Sequence, residues 1–140
     1  MSRPIADMLP PHLTVPLDSS GGHLARLRAR APDLTANLIG QADAFLVVRT
    51  RTAIDVGGWL GRRRIRAVAL ADGLVLMAPG RRPYGERIAF ADLGESLYNH
   101  VTGEVVLAPA PDARVRRLRL SPLEGYQLLA QIHGKGTDDA

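Results

Sequence analysis

The densest chemistry in the chain is Gly57-Gly58-Trp59-Leu60-Gly61-Arg62-Arg63-Arg64, followed at once by Arg66. A guanidinium is a permanent cation whose planar fork of donors matches carboxylate and phosphate oxygens. An indole and a leucine between glycines can enter a membrane interface or the groove of a partner. Trp59, Leu60, Arg62, Arg63, Arg64 and Arg66 are therefore the candidate binding residues. The same residues admit a plainer use, in which Trp59 folds into the core and the arginines are solvated. A second basic run, Arg114, Arg116, Arg117 and Arg119, has the charge to meet phosphates.

Other chemistry finds little support. The chain has no cysteine, which excludes disulfides, thiol nucleophiles and thiolate zinc sites. His12, His23, His100 and His133 are scattered, with no HExxH and no i, i+4 pair. No GxSxG, P-loop or GxGxxG motif occurs, and Ser121 is better explained as a helix cap. No catalysis, metal, cofactor or small-molecule substrate is expected. Nucleic-acid binding ranks third among the binding readings. Strand-based single-strand binders present aromatic platforms, and here two Phe, three Tyr and one Trp are all there is, with Phe45 and Phe90 expected in the core.

At 140 residues and 46% apolar content, the chain suits one globular domain with a core built from Leu, Val, Ile and Ala. Residues 44–120 carry thirteen arginines against seven acids, while the last twenty residues hold one lysine and three acids. Seventeen arginines to one lysine, with abundant Ala, Gly and Pro, is what a GC-rich genome produces, so charge alone says little about function. No run approaches the ~18 apolar residues needed to cross a bilayer. Four prolines within the first twenty residues argue against a secretory leader, and the cytoplasm is the expected setting.

These groups must be positioned by local structure. Residues 1–22 hold Pro4, Pro10, Pro11 and Pro16, then Gly21-Gly22, and read as an extended arm. Residues 23–42 form a helical extension: Leu24, Leu27 and Ala31 share a face, Pro32 interrupts, and Gly40 ends a second short turn. From residue 43 short strand-like segments follow one another between turn signals. They are 45–52, 64–71, 74–78, 87–91, 96–101, 104–108 and 115–120. Asp72-Gly73 predicts a two-residue hairpin turn with positive φ at both positions. Ser121-Pro122-Leu123-Glu124 is a capping box with proline at N1. It opens a helix with Leu123, Tyr126, Leu129, Ala130 and Ile132 on its apolar face and Gly134 as its stop. Residues 135–140 read as a polar tail. The fold class is mainly β with added helix.

Seven short strands and one capped helix is an order that resembles the pleckstrin-homology-like (PH-like) fold. The segment 66–77, with Asp72-Gly73 between two apolar strands, is similar to the central hairpin of bacterial PH-like domains. Ile88-Ala89-Phe90-Ala91-Asp92-Leu93 resembles the short strand that follows it there, and Val115 to His133 resembles the closing strand and helix. The resemblance covers residues 43–134. It implies an antiparallel β barrel or sandwich and a non-catalytic recognition module that binds proteins, lipids or copies of itself. In PH-like lipid binders the loop between the first two strands carries the basic site. Arg64-Ile65-Arg66 partly resembles that element, with Arg51 contributing from the first strand. A protein partner or self-association is the leading expectation and an anionic membrane surface the alternative.

Overall fold

The computed structural model describes residues 17–55, 62–80 and 83–138. Helix α1 (Leu17–Arg30) runs through Gly21 and Gly22, so the helical segment starts well before the expected His23 and shortens the arm. Its i, i+3 pair Leu24 and Leu27 is buried. Pro32 has no N–H to continue the ladder. The chain therefore breaks at Ala31 and restarts as α2 (Pro32–Leu38) with proline in its first turn. The joint is held from both sides. The buried Thr35 hydroxyl donates to the Ala31 carbonyl at 2.7 Å, and Arg28 donates to the Gly40 and Ala42 carbonyls at 3.2 and 3.0 Å. Gly40, at φ +63°, ends α2 as expected.

Two antiparallel sheets follow. The first has the order β1 (Leu46–Asp55), β2 (Arg62–Ala69), β3 (Gly73–Ala78), β4 (Tyr84–Ala89). A 3₁₀ turn (Phe90–Leu93) leads to the second, ordered β5 (Leu97–Asn99), β6 (Glu104–Val106), β7 (Arg117–Arg119), and helix α3 (Pro122–Asp138) closes the order. The seven strands and closing helix are thus present. Several bounds differ from expectation: β4 begins at Tyr84 rather than residue 87, and β7 is only three residues long. The sheets stay separate, in a sandwich-like arrangement. They meet where the Arg119 N–H donates to the Thr52 hydroxyl oxygen at 2.7 Å.

The central hairpin forms with a different turn. Ala69 pairs with Leu74, and the Leu70 N–H donates to the Gly73 carbonyl at 2.8 Å, so the two-residue loop is Ala71-Asp72. Neither loop residue nor Gly73 has positive φ. Gly73 is needed for space instead. It pairs with Ala89 of β4, and a Cβ there would lie 2.9 Å from the Ile88 carbonyl oxygen.

The first sheet is covered on both faces. One face carries Ile65, Ala67, Leu74 and Leu76 into the main core, with Val105, Leu118 and Leu128 from the second sheet and α3. The opposite face carries Val68, Leu70, Val75 and Met77 against Leu24, Leu27 and Ile39 of the helical segment. All six residues of β3 are consequently buried. The N-terminal helices are a layer of the fold rather than an appendage. At Gly85 of β4 the approach is so close that a Cβ would run into Leu34 and Leu38 of α2.

Helix α3 starts at the expected Ser121 cap. The Glu124 N–H donates to the Ser121 hydroxyl at 3.3 Å, and that hydroxyl donates to the Glu124 carboxylate at 3.0 Å. Its buried stripe is turned from the expected one. Leu128 is fully buried with Ile132, Leu129 is partly buried, and Tyr126 is 42% exposed. Gly125 lies on the docking side, where a Cβ would come within 2.6 Å of the Tyr98 ring. Truncating Leu128 to alanine would cost about 2–5 kcal/mol. The helix also passes Gly134 and continues to Asp138, so that glycine is not its stop. Phe90 is buried as expected, whereas Phe45, expected in the core, is 46% exposed.

Candidate functional site: an arginine-lined recess

Residues alternate between faces along a strand. On the outer face of β1 the sequence runs Val47, Arg49, Arg51, and on β2 it runs Val68, Arg66, Arg64. Val47 and Val68 sit under the helices. Beyond them the same face turns cationic. The change falls at the pair Arg49 and Arg66, which are directly opposite in the ladder. Like charges in that relation are destabilising.

Past that pair β1 bulges. The register slips between Arg49 and Ala53, leaving Thr50, Arg51 and Thr52 opposite Ile65. The buried Thr50 hydroxyl fixes the bulge by donating to the Ile65 carbonyl at 2.7 Å and accepting from the Thr52 N–H at 3.2 Å. From the other side the last turn of α1 supplies Arg30, a cation placed where the helix dipole is negative.

The result is a recess of about 460 Å³ lined by Arg30, Arg49, Arg51, Arg63, Arg64 and Arg66, with Thr50, Ile65 and Pro79 between them. A second cavity of about 370 Å³ adjoins it and shares Arg30, Arg49 and Arg66. Its further wall is His23, Arg26 and Leu27 of α1, Val47 and Glu124. Among the described residues, none of the six arginines of the first recess is ion-paired with a carboxylate. Glu124, the one acid at the rim among the described residues, is engaged with Ser121. Burial, and then the fields of Arg30 and Arg49, push the Arg66 guanidinium below its ordinary pKa.

Four of the residues singled out from sequence, Arg51, Arg63, Arg64 and Arg66, are brought together here. Arg62 opens β2, and Trp59 and Leu60 lie outside the described residues. Sequence reading missed Arg30 and Arg49. The alternation Val47-x-Arg49-x-Arg51 carries the signal for Arg49, but its partner on the neighbouring strand follows only from the register.

The second basic run behaves differently. Arg116 donates to the Ala113 and Pro111 carbonyls at 3.3 and 2.9 Å. The Arg114 guanidinium lies 5.5 Å from the centroid of the Tyr84 ring. Arg117 and Arg119 flank the buried Leu118 and point to solvent. Among the described residues no cluster of three or more metal-ligating side chains occurs, and no helix is long and apolar enough to cross a membrane. Comparison with protein-family models, with curated proteins and with solved structures gave no match to this chain.

Proposed function

We propose that this protein is a non-catalytic recognition module of PH-like architecture that takes an anionic partner in the arginine-lined recess. One observation carries the reading. Six arginines line one cavity without a carboxylate partner among the described residues, and the directly opposed pair Arg49 and Arg66 carries a like-charge cost that an incoming anion would remove. Seven strands in two antiparallel sheets followed by a capped helix support the PH-like assignment. The partner is placed as a protein or assembly component that presents a negative group, ahead of a membrane. Arg30, Arg49 and Arg66 line a hollow between α1 and the sheet, which suits an inserted group better than a flat bilayer. The cytoplasm is the expected setting, supported by the absence of cysteine.

A charge-matched comparison tests the site. The double variants Arg49→Ala/Arg66→Ala and Arg117→Ala/Arg119→Ala lose the same net charge from different places. Retention on an immobilised phosphate matrix, followed through a salt gradient, should fall sharply for the first pair and little for the second. Equal losses would mean that the protein's overall charge binds anions, and the recess would lose its role. Cosedimentation with anionic and neutral vesicles at two salt concentrations addresses the membrane alternative, and strong anionic-vesicle binding would favour it.

A further inference from the structure

We propose that the free edge of β4 receives an extended segment of a protein partner as a further strand, anchored by one lysine or arginine of that segment between Asp92 and Asp112. This surface lies at the opposite edge of the first sheet from β1 and is independent of the recess. The backbone makes the case first. The Phe90 N–H donates to the Asp72 carbonyl at 3.0 Å, while Leu74 pairs with Ile88 and Leu76 with Glu86. In an antiparallel ladder, hydrogen-bonded pairs alternate with pairs that are not. Residues 84, 86, 88 and 90 therefore turn their N–H and C=O groups to β3, and Gly85, Arg87 and Ala89 turn theirs outward. All three are exposed. Among the described residues no strand lies beyond β4, and these outward main-chain groups have no hydrogen-bond partner. Such a row is a template for strand addition. A charged side chain is a common guard of such an edge. Here that side chain, Arg87, is drawn aside: it donates to the Leu38 carbonyl at 3.2 Å and pairs with Asp72 at 2.7 Å.

Beside the edge lies a cavity of about 160 Å³ between β4 and the 110–113 loop, where Ile88, Ala110, Pro111 and Ala113 meet Asp92 and Asp112. It is below the size of a small-molecule site and suits a single long side chain. An added strand supplies one, since its alternate residues face this side of the sheet. The aliphatic lining fits a methylene stem. Asp92 and Asp112, exposed and not ion-paired among the described residues, fit a cationic head. The neighbouring cations are engaged elsewhere, Arg116 on the Pro111 and Ala113 carbonyls and Arg114 over the Tyr84 ring. A second copy fits less well, because two β4 edges meeting about a two-fold axis at Arg87 would oppose like charges.

The experiment is amide hydrogen exchange of the full chain, followed by nuclear magnetic resonance with and without a short blocked peptide that alternates threonine and valine around a central lysine. In the free chain the Gly85, Arg87 and Ala89 amides should exchange among the fastest of the first sheet. At millimolar concentration the lysine peptide should protect them, and the same peptide with a central glutamate should bind at least about tenfold more weakly. Asp92→Asn/Asp112→Asn should erase most of that difference. Ala89→Pro tests the backbone. Ala89 sits at φ −63° and ψ 141°, which proline adopts, and its N–H points away from β3. The substitution therefore removes a donor of the free edge without breaking the ladder. It should leave the urea midpoint unchanged and weaken the lysine peptide severalfold; should it unfold the protein, the carboxamide variant carries the test.

Slow exchange of these amides in the free chain would mean that the edge is already covered, and would overturn the proposal. So would an absence of protection by the lysine peptide, equal binding of the glutamate peptide, or undiminished binding by a folded Ala89→Pro. Protection that rises with protein concentration without peptide assigns the edge to a second copy and overturns the partner segment. None of these outcomes bears on the recess, whose test is retention on phosphate.

Discussion

Arg116, on the approach to β7, places guanidinium nitrogens on the main-chain carbonyls of Ala113 and Pro111, whereas Arg66, on β2, faces Arg49 across the ladder with Arg30 beside it. Both belong to runs of alternating arginines that look equivalent as sequence. The first run is part of a lock. The Glu86 carboxylate accepts from the Arg114 and Val115 N–H groups at 3.1 and 3.0 Å and from the Tyr84 hydroxyl, and Arg114 covers the Tyr84 ring. There the cations are used to hold a loop. In the recess none is ion-paired with a carboxylate among the described residues, and the repulsion between the opposed Arg49 and Arg66 is a standing cost. Charge density along a chain therefore does not by itself mark a candidate site; what each cation is paired with in the fold separates the two runs.

The contrast is broken most directly at the lock. Glu86→Ala removes the acceptor of two loop N–H groups and the Tyr84 hydroxyl, and should lower unfolding free energy by about 1–3 kcal/mol in urea titration. No loss would mean that the 113–116 loop is held by other contacts. The same lock has an alkaline signature. Burial, and then the hydrogen bond to Glu86, push the Tyr84 phenol well above its ordinary pKa. The unfolded chain releases that proton near pH 10 while the folded chain keeps it, so stability is complete below about pH 10 and falls above it. Tyr84→Phe should remove that share of the alkaline loss. Parallel curves of midpoint against pH for the two proteins would contradict the assignment.

Smaller effects sharpen the comparison. Arg116→Ala should cost about 0.5–1.5 kcal/mol, because two carbonyls lose their donor. Arg66→Thr should do the reverse and raise the stability of the ligand-free protein by about 0.2–1 kcal/mol, since it removes a like-charge cross-strand pair. Added salt should narrow that gain by screening the repulsion. A destabilised Arg66→Thr would show that the guanidinium has a structural use after all.

The legible parts of the fold were those written in neighbouring residues. Ser121-Pro122-Leu123-Glu124 fixes the start of α3 through contacts three residues apart. The alternating apolar strands fix the central hairpin, although its turn falls one residue earlier than Asp72-Gly73 suggests. What failed depended on distant surfaces. Tyr126 fits the apolar spacing but is amphipathic, and the helix rotates to bury Leu128 instead. The apolar run Leu74 to Ala78 reads along the chain only as a strand, and nothing local said that Leu24, Leu27 and Ile39 cover its second face. The recess was half legible for the same reason. Arg64 and Arg66 stand out along the chain, while Arg30 and Arg49 join them only through register and helix placement.

Strand β3 has a consequence for how the molecule opens. It lies between β2 and β4, with the second sheet and α3 beyond one face and the helical segment against the other. Water reaches its amides only when one of these layers is gone, and each layer shares its core with the strand. Local fraying therefore exposes none of them. In deuterated solvent the amides of β3 should be the last to exchange, at a rate set by complete unfolding. Those of the short edge strand β5 should exchange early through smaller openings.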